Sequence, residues 1–326
     1  MPHGKSPKHA RKKKAAAKAK PTSRGKSKAS SADNGSTEKS HTGKQANTKA
    51  SATLTGPVRL QKLLAAAGFG SRREAEQFLV DERVTVNRRI AKLGDSADPR
   101  VDEIRVDGER LSREKPAYWV LNKPRGVVTT MRDEAGRKTV VDFLPRGVGR
   151  LYPVGRLDKE TSGLLLLTND GDTAHALLHP SLGNEREYKV NVKGLIDEKA
   201  VGRLEKGIVL EEGRTSPGHV HQVRLDPETG TSSFLLTLGE GRKRQIRRSL
   251  LMLGFPVRRL VRVRMGPLRL GRLAVGEARP LRPDERRALV DHAAMLRGEK
   301  KKPSSRRRSV PRKTQRAARS RNGTKT

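Results

Sequence analysis

Four consecutive leucines, Leu164–Leu167, lie between two turns of short polar residues, GRLDKETSG before them and TNDGD after. An unbroken apolar run of this length, bounded by turn signals, predicts a buried strand. One acidic side chain, Asp158, stands at its edge in a chain otherwise dominated by Lys, Arg, Ala and Ser. As a lone residue it reads most simply as a helix N-cap or turn former, because a short carboxylate accepts backbone N–H bonds. Its place beside a buried strand opens a second reading: a partly desolvated carboxylate that stays ionised only with a cation nearby. The GRKRQIRR run at 241–248 supplies cations in density.

The rest of the chain decides how much structure can form around that strand. Its 326 residues carry 72 Lys and Arg against 35 Asp and Glu, a formal net charge of +37. Residues 1–50 hold +12 of it and 299–326 hold +11, leaving +14 for the middle. The segments 1–56 and 298–326 have almost no large apolar side chain, so they cannot bury enough surface to offset the entropy of ordering; disordered basic tails are expected. The charge implies a polyanionic partner, and nucleic acid is favoured over anionic membrane because the tails lack the apolar face of a membrane-surface helix. No stretch approaches the ~20 apolar residues of a membrane span. The basic start has no apolar signal segment, and a cytoplasmic location is expected. With no cysteine, disulfides and Cys-ligated zinc are excluded. The eight histidines show no metal-binding spacing, and no P-loop or GxGxxG calls for a nucleotide, so neither metal nor cofactor is expected.

Order begins near Val58. In VRLQKLLAAAG, Val58, Leu60, Leu63, Leu64 and Ala67 share a helical face, and Gly68 stops the helix. Ser71 caps a second helix, with Ala75, Phe78 and Leu79 inward and Arg72, Arg73 and Glu76 outward. VTVNRR alternates as a strand, and IRVDGERL reads as a hairpin around Asp107-Gly108. From Pro116, AYWVLNKPRGVVTT reads as a strand, a tight turn and a β-branched strand. DTAHALLHP reads as a helix capped by Asp172 and stopped by Pro180, with His175 and His179 structural. EREYKVNVKG, HVHQVRL and SSFLLTLGEG read as strands, DEKAVGRLEKGIVL as a helix into a strand. GRKRQIRRSLLMLGFPV becomes a basic helix with Ile246, Leu250 and Leu253 on one face. The mixture predicts an α+β fold with a mainly antiparallel mixed sheet. The expected organisation is a basic tail at 1–56, a small domain at 57–114, a larger one at 115–297 and a second tail at 298–326.

RLQKLLAAAGFGSRREAEQFLVDERVTVN resembles the small RNA-binding domain named after ribosomal protein S4. The resemblance implies that Arg59, Lys62, Arg72, Arg73 and Asn87 lie on or near an RNA-facing surface. That family often has glycine where Glu82 and Arg88 stand, which implies altered turns here. Further on, LNKPRGV, VGRLDKETSGLLLLTNDGD and GRKRQIRRSLLMLGFPVRRLVRVRMGPLRL follow in order. Together they resemble the pseudouridine synthases of the RsuA/RluB type, over about residues 57–290. The resemblance implies an S4-like domain followed by a catalytic domain that isomerises selected uridines of ribosomal RNA without cofactor or metal. It makes Asp158 the essential carboxylate, Tyr188 the aromatic that stacks on the target base, and Arg247 the arginine that pairs with the aspartate. Arg156 takes the place of a side chain that helps displace the flipped base. Lys123 and Pro124 match a structural turn with phosphate contact, and Arg242 and Arg244 add RNA contacts.

The chemistry suits these residue types. The C1′–N1 bond must break, the uracil must rotate, and C5 must rejoin C1′. A carboxylate can attack C1′ or stabilise positive charge there, as in glycoside hydrolysis; attack at C6 of the base is the other route, and the sequence leaves both open. A base held out of the stack needs aromatic packing and hydrogen bonds. Three functions follow. The first is a ribosomal RNA pseudouridine synthase acting as a monomer on 23S rRNA, with 16S rRNA as alternative and a pre-ribosomal particle as possible substrate. The second is a non-catalytic RNA-binding ribosome-assembly factor, and the third a nucleic-acid-compacting protein acting through its tails.

Overall fold

The computed structural model describes residues 56–299. The tails expected to be disordered lie almost wholly outside the described residues.

The N-terminal part comprises β1 (Val58–Arg59), α1 (Leu60–Ala66), α2 (Arg72–Val80), β2 (Val84–Val86), β3 (Arg89–Ile90), β4 (Ser96–Ala97), β5 (Ile104–Val106) and β6 (Glu109–Arg110). Val58 does not open the helix as its spacing suggested. It pairs with Ala97 in a short antiparallel ladder, and α1 starts only at Leu60, whose N–H donates to Asp95 O. Leu60, Leu63 and Leu64 pack with Ala75, Leu79, Val84 and Ile104 into one small core. Ser71 and Glu74 form a reciprocal capping box at the start of α2. In the β5–β6 hairpin Asp107 (φ 50) and Gly108 (φ 83) both take the left-handed backbone of a two-residue primed turn. Glu82 (φ 55) and Arg88 (φ 66) are left-handed too. Both turns take the conformation that glycine adopts freely, at about 1 kcal/mol for each non-glycine residue.

The larger part is built on a nine-stranded sheet. Its elements are β7 (Tyr118–Lys123), β8 (Tyr152–Pro153), β9 (Ser162–Thr168), α3 (Gly171–Leu178), β10 (Arg186–Lys193), α4 (Glu198–Lys206), the β11 (Val209–Leu210) and β12 (Gly213–Arg214) hairpin, β13 (Gly218–Asp226), β14 (Thr231–Leu238), α5 (Gln245–Met252), β15 (Val257–Met265), β16 (Leu268–Arg269), β17 (Ala278–Pro280) and α6 (Pro283–Leu296). The strand order is β13-β14-β10-β15-β9-β7-β17, antiparallel except between β15 and β9. Leu164–Leu167 form the middle of β9 and are fully buried on both faces, which at about 2 kcal/mol per side chain makes this strand the anchor of the sheet.

Two details differ from the sequence reading. The cap of α3 is Asp170, whose side chain accepts from the N–H groups of Asp172 and Thr173; Asp172 lies in the first turn. The β-branched run after the Asn-Lys-Pro-Arg-Gly turn is not a strand: it makes one isolated bridge, Val128 to Thr139, outside the strands of the sheet.

The two faces are covered differently. On the back, α3 and α6 pack behind β7 and β9 through Ala174, Leu177 and Leu289 against Tyr118, Val120, Leu164 and Leu166. The front carries two separate blocks. One seats α4 and α5 on β10, β14 and β13, through Ala200, Leu204, Ile246 and Leu250. The other seats the loops around Val127, Val140, Leu151 and Leu157 on Leu121, Leu165 and Leu167.

Candidate active site

The seam between the two front blocks gathers the chemistry-bearing residues. Tyr188 on β10 is half-buried and packs against both blocks. Strand register sets a row across the front: Lys123 on β7 opposite Gly163 on β9, Gly163 beside Arg262 on β15, Arg262 opposite Tyr188. Gly163 (φ +105) is required, because a Cβ there would lie 2.3 Å from Arg262 O and 2.7 Å from Arg262 N. Arg262 is buried, its Nε donating to Leu164 O at 2.7 Å.

Asp158 comes to this seam on the loop that leads into β9, and the loop is tied down by the Asn-Lys-Pro-Arg-Gly turn. Lys123 is fully buried, and its ammonium donates to the carbonyls of Asp158 (3.2 Å), Thr161 (2.9 Å) and Pro124 (3.0 Å). Burial pushes this ammonium down to about 8, against the opposing pull of Asp158 and Glu160. Gly126 N–H donates to Lys159 O at 2.8 Å, and Arg125 pairs with Glu160 at 2.5 Å. The Thr129 hydroxyl donates to Leu157 O at 2.8 Å.

The Asp158 side chain is half-buried and, among the described residues, accepts no hydrogen bond and joins no ion pair. It is therefore not the helix cap of the simplest reading. Nor does Arg247 pair with it directly. From α5, Arg247 Nη2 donates to Glu160 O at 2.8 Å and Nη1 to Val257 O at 3.3 Å, while Nε is buried without a partner. Burial and then the Arg244 guanidinium hold Arg247 below its ordinary value; Asp158 works in the opposite direction, so the carboxylate lies within the guanidinium's field. The arrangement is a fixed backbone loop, a free carboxylate, an aromatic face and a cation reaching across the seam.

This architecture has known relatives. Residues 117–251 match the family model described as RNA pseudouridylate synthase, and residues 58–99 match that of the S4 domain. A ribosomal large subunit pseudouridine synthase B of Bacillus subtilis is 44% identical over 238 residues, spanning 72% of this chain and 97% of the relative. The chain belongs to the RNA pseudouridylate synthase family. An uncharacterized RNA pseudouridine synthase of Mycobacterium leprae is 43% identical, over 74% of this chain and 95% of that one. A crystal structure of a pseudouridylate synthase superposes with a TM-score of 0.51 at 32% identity, covering 71% of this chain and 99% of that one.

As a synthase of this family the chain is an enzyme, and its expected RNA contacts separate into two groups. Arg156, Arg73 and Arg244 are exposed, and Arg244 (φ 51) sits at the start of α5 beside Arg247. Arg72 is also exposed and lines an ~800 Å³ cavity between the S4 domain and the catalytic domain. The others are committed elsewhere. Lys123 has no surface from which to reach a phosphate. Lys62 pairs with Asp172 of α3 at 2.7 Å and so joins the two domains. Asn87 donates to Asp102 Oδ1 and accepts from Glu103 N–H; Arg59 donates to Gly94 O. The Arg242 guanidinium holds the β11–β12 turn through the carbonyls of Gly213 and Arg214. Sequence reasoning missed the anchoring role of Lys123 and Thr129 and the place of Arg262 and Gly163. The one hint was the Ser162-Gly163 step before the leucines, since glycine inside a strand marks a close backbone approach.

Proposed function

We propose that this synthase isomerises a particular uridine of 23S ribosomal RNA, with Asp158 as the catalytic carboxylate. The observation that carries the reading is the Asp158 carboxylate itself, without a hydrogen-bond or ion-pair partner among the described residues, on a loop whose backbone is pinned by Lys123. The target nucleotide enters the seam with its base against Tyr188. Asp158 acts at C1′; the C1′–N1 electron pair leaves with the uracil, which turns while packed on Tyr188. C5 then bonds to C1′, the C5 proton is released, and N1 takes up a proton. Arg247 orients the Asp158 loop through Glu160 O and supplies positive charge beside the carboxylate. Arg156 and Arg244 at the rim hold the displaced strand.

The ribosomal large subunit synthase named among the relatives supports 23S rRNA; 16S rRNA is the second reading. The reading takes the chain as a cytoplasmic monomer acting during ribosome biogenesis, on free rRNA or an assembling particle. The S4 domain at 57–114 and catalytic domain at 115–297 divide positioning from chemistry, and the basic tails add affinity without specificity. The test is tritium release from 5-[³H]uridine-labelled 23S and 16S rRNA. Release from 23S alone supports the reading; release from 16S alone replaces the substrate; release from neither overturns it.

A further inference from the structure

The back of the main sheet is covered over only half its width. α3 and α6 pack behind β7 and β9, whereas α4 and α5 both lie on the front. Among the described residues no apolar cluster covers the back of β13, β14 and β10 or the adjoining part of β15. The β10–β14 pairing alternates without a register shift, with Tyr188, Val190, Phe234 and Leu236 to the front. Lys189, Asn191, Lys193, Ser233 and Leu235 therefore point to the back. Register with β13 adds Arg224 opposite Ser233, and register with β15 adds Arg259 opposite Asn191.

Lys189, Lys193, Arg224 and Arg259 are exposed, and none makes an ion pair with a described carboxylate. Two acids share this region, and neither pairs with these four cations. Glu187 is buried between His221 (3.5 Å) and Arg264 (3.7 Å), and Asp226 accepts from Thr229. The apolar groups on this face, Leu235 and Val261, are half-buried and too few to seat a helix. Four cations, unpaired among the described residues, on a face about 14 Å across its four strands at ~4.8 Å spacing complement a polyanion. Phe234 and Tyr188 face the other way, and the rings on this face, His219 and His221 at its β13 edge, are stacked on each other at 5.3 Å. Its contacts are with phosphates, which position an RNA without reading its sequence.

We propose that this bare back face binds the phosphate backbone of a second segment of the substrate RNA, on the opposite side of the sheet from the Asp158 seam. The proposal rests on the reading of the substrate as a long structured RNA. A short hairpin around the target uridine reaches only the front; a large rRNA domain reaches both.

The test is Lys189→Glu/Arg224→Glu/Arg259→Glu in the full chain, with Lys189→Gln/Arg224→Gln/Arg259→Gln as a variant that adds no repulsion. Both are compared with wild type on a 23S rRNA transcript and on a short hairpin containing the uridine the wild type modifies. On the transcript both variants are expected to bind at least about tenfold more weakly near 0.1 M salt, with the log–log salt dependence shallower by about two to three. On the hairpin, affinity and turnover stay within about twofold, since no positioning contact to the short RNA is lost. Unchanged affinity and salt dependence on the transcript overturn the proposal. So does an equal loss on the hairpin, or a wild-type dimer that the charge reversal dissociates, which would make the face a contact between copies. If wild type releases no tritium from either rRNA, the substrate reading fails, while the transcript salt dependence still decides whether this face holds RNA.

Discussion

Lys123 in the catalytic domain and Lys62 in the S4 domain are both cations that the motif reading assigned to RNA, and the fold uses them in opposite ways. Lys123 is fully buried, pairs with no carboxylate among the described residues, and gives its ammonium to the carbonyls of Asp158 and Thr161 on the loop that carries Asp158 and to that of Pro124 in its own turn. Lys62 keeps 32% of its side chain exposed and meets the partly exposed Asp172 across a domain boundary. The first is an expensive buried charge whose loss changes geometry. The second is a pair of the kind that solvent screens to about 1 kcal/mol or less. The Asp158 loop is thus held by buried bonds, whereas Lys62–Asp172 is one of several partly exposed ties at the domain junction, with Arg150–Glu74 another.

The largest break in this comparison should come from the carboxylate that Lys123 positions. Asp158→Asn keeps the shape and removes the charge. Tritium release should fall by about 10³-fold or more while RNA affinity stays within about twofold. Equal loss of binding and turnover would make Asp158 a structural residue and leave the seam without its reagent.

Lys123→Met should follow. It removes the donor from three carbonyls, and about 2 kcal/mol or more of stability should go with it. Turnover should fall by about 10²-fold with KM little changed, because the loop loses its register and not its contacts with RNA. The wild-type pH dependence gives an independent signature. The folded ammonium is held down to about 8, below the ~10.4 of an unfolded lysine. Between those values the unfolded chain holds a proton that the folded chain has released, so this site's contribution to stability rises with pH across that window. Urea midpoints at about pH 7.5 and about pH 9.5 should show that rise in wild type and not in Lys123→Met.

The contrast between these two lysines marks how far the sequence was legible. Leu164–Leu167 announce a buried strand, Ser71 its capping box and Asp107-Gly108 its hairpin, because each depends on neighbours within a few residues. Asp158 stood out for the same reason, as a short acid beside the most apolar run. Lys123 looked like an exposed turn residue because its partners at 158 and 161 are distant in sequence. Val127 to Thr130 has strand propensity but makes no strand, since the backbone of Val128 pairs with Lys138 and Val140 of a distant loop and not with a sheet strand. The row Lys123–Gly163–Arg262–Tyr188 exists only through the register of four strands, which no local pattern encodes. The candidate residues could thus be named from local pattern, but the way the fold holds them could not.

Arg247→Lys tests the link across the seam. A lysine keeps the charge and cannot fork between Glu160 O and Val257 O. Turnover should drop by about tenfold, less than for Lys123→Met, with unfolding midpoints nearly unchanged. A loss as large as that of Asp158→Asn would mean the guanidinium touches the reacting groups instead of the loop.

The smallest effect should come from Lys62, and it separates two roles that one substitution alone would confuse. If Lys62 serves the domain junction, Lys62→Met and Asp172→Asn each cost about 1 kcal/mol or less, and the double variant costs little more than either. RNA affinity then stays within about twofold in all three, because no phosphate contact is removed. If Lys62 instead reaches a phosphate when RNA binds, Lys62→Met weakens binding and flattens the salt dependence by about one. Asp172→Asn would then strengthen binding by freeing the ammonium, so the two single variants would move affinity in opposite directions. The sign of the Asp172→Asn effect on RNA binding therefore decides whether the S4 domain is fastened by Lys62 or merely holds it in reserve.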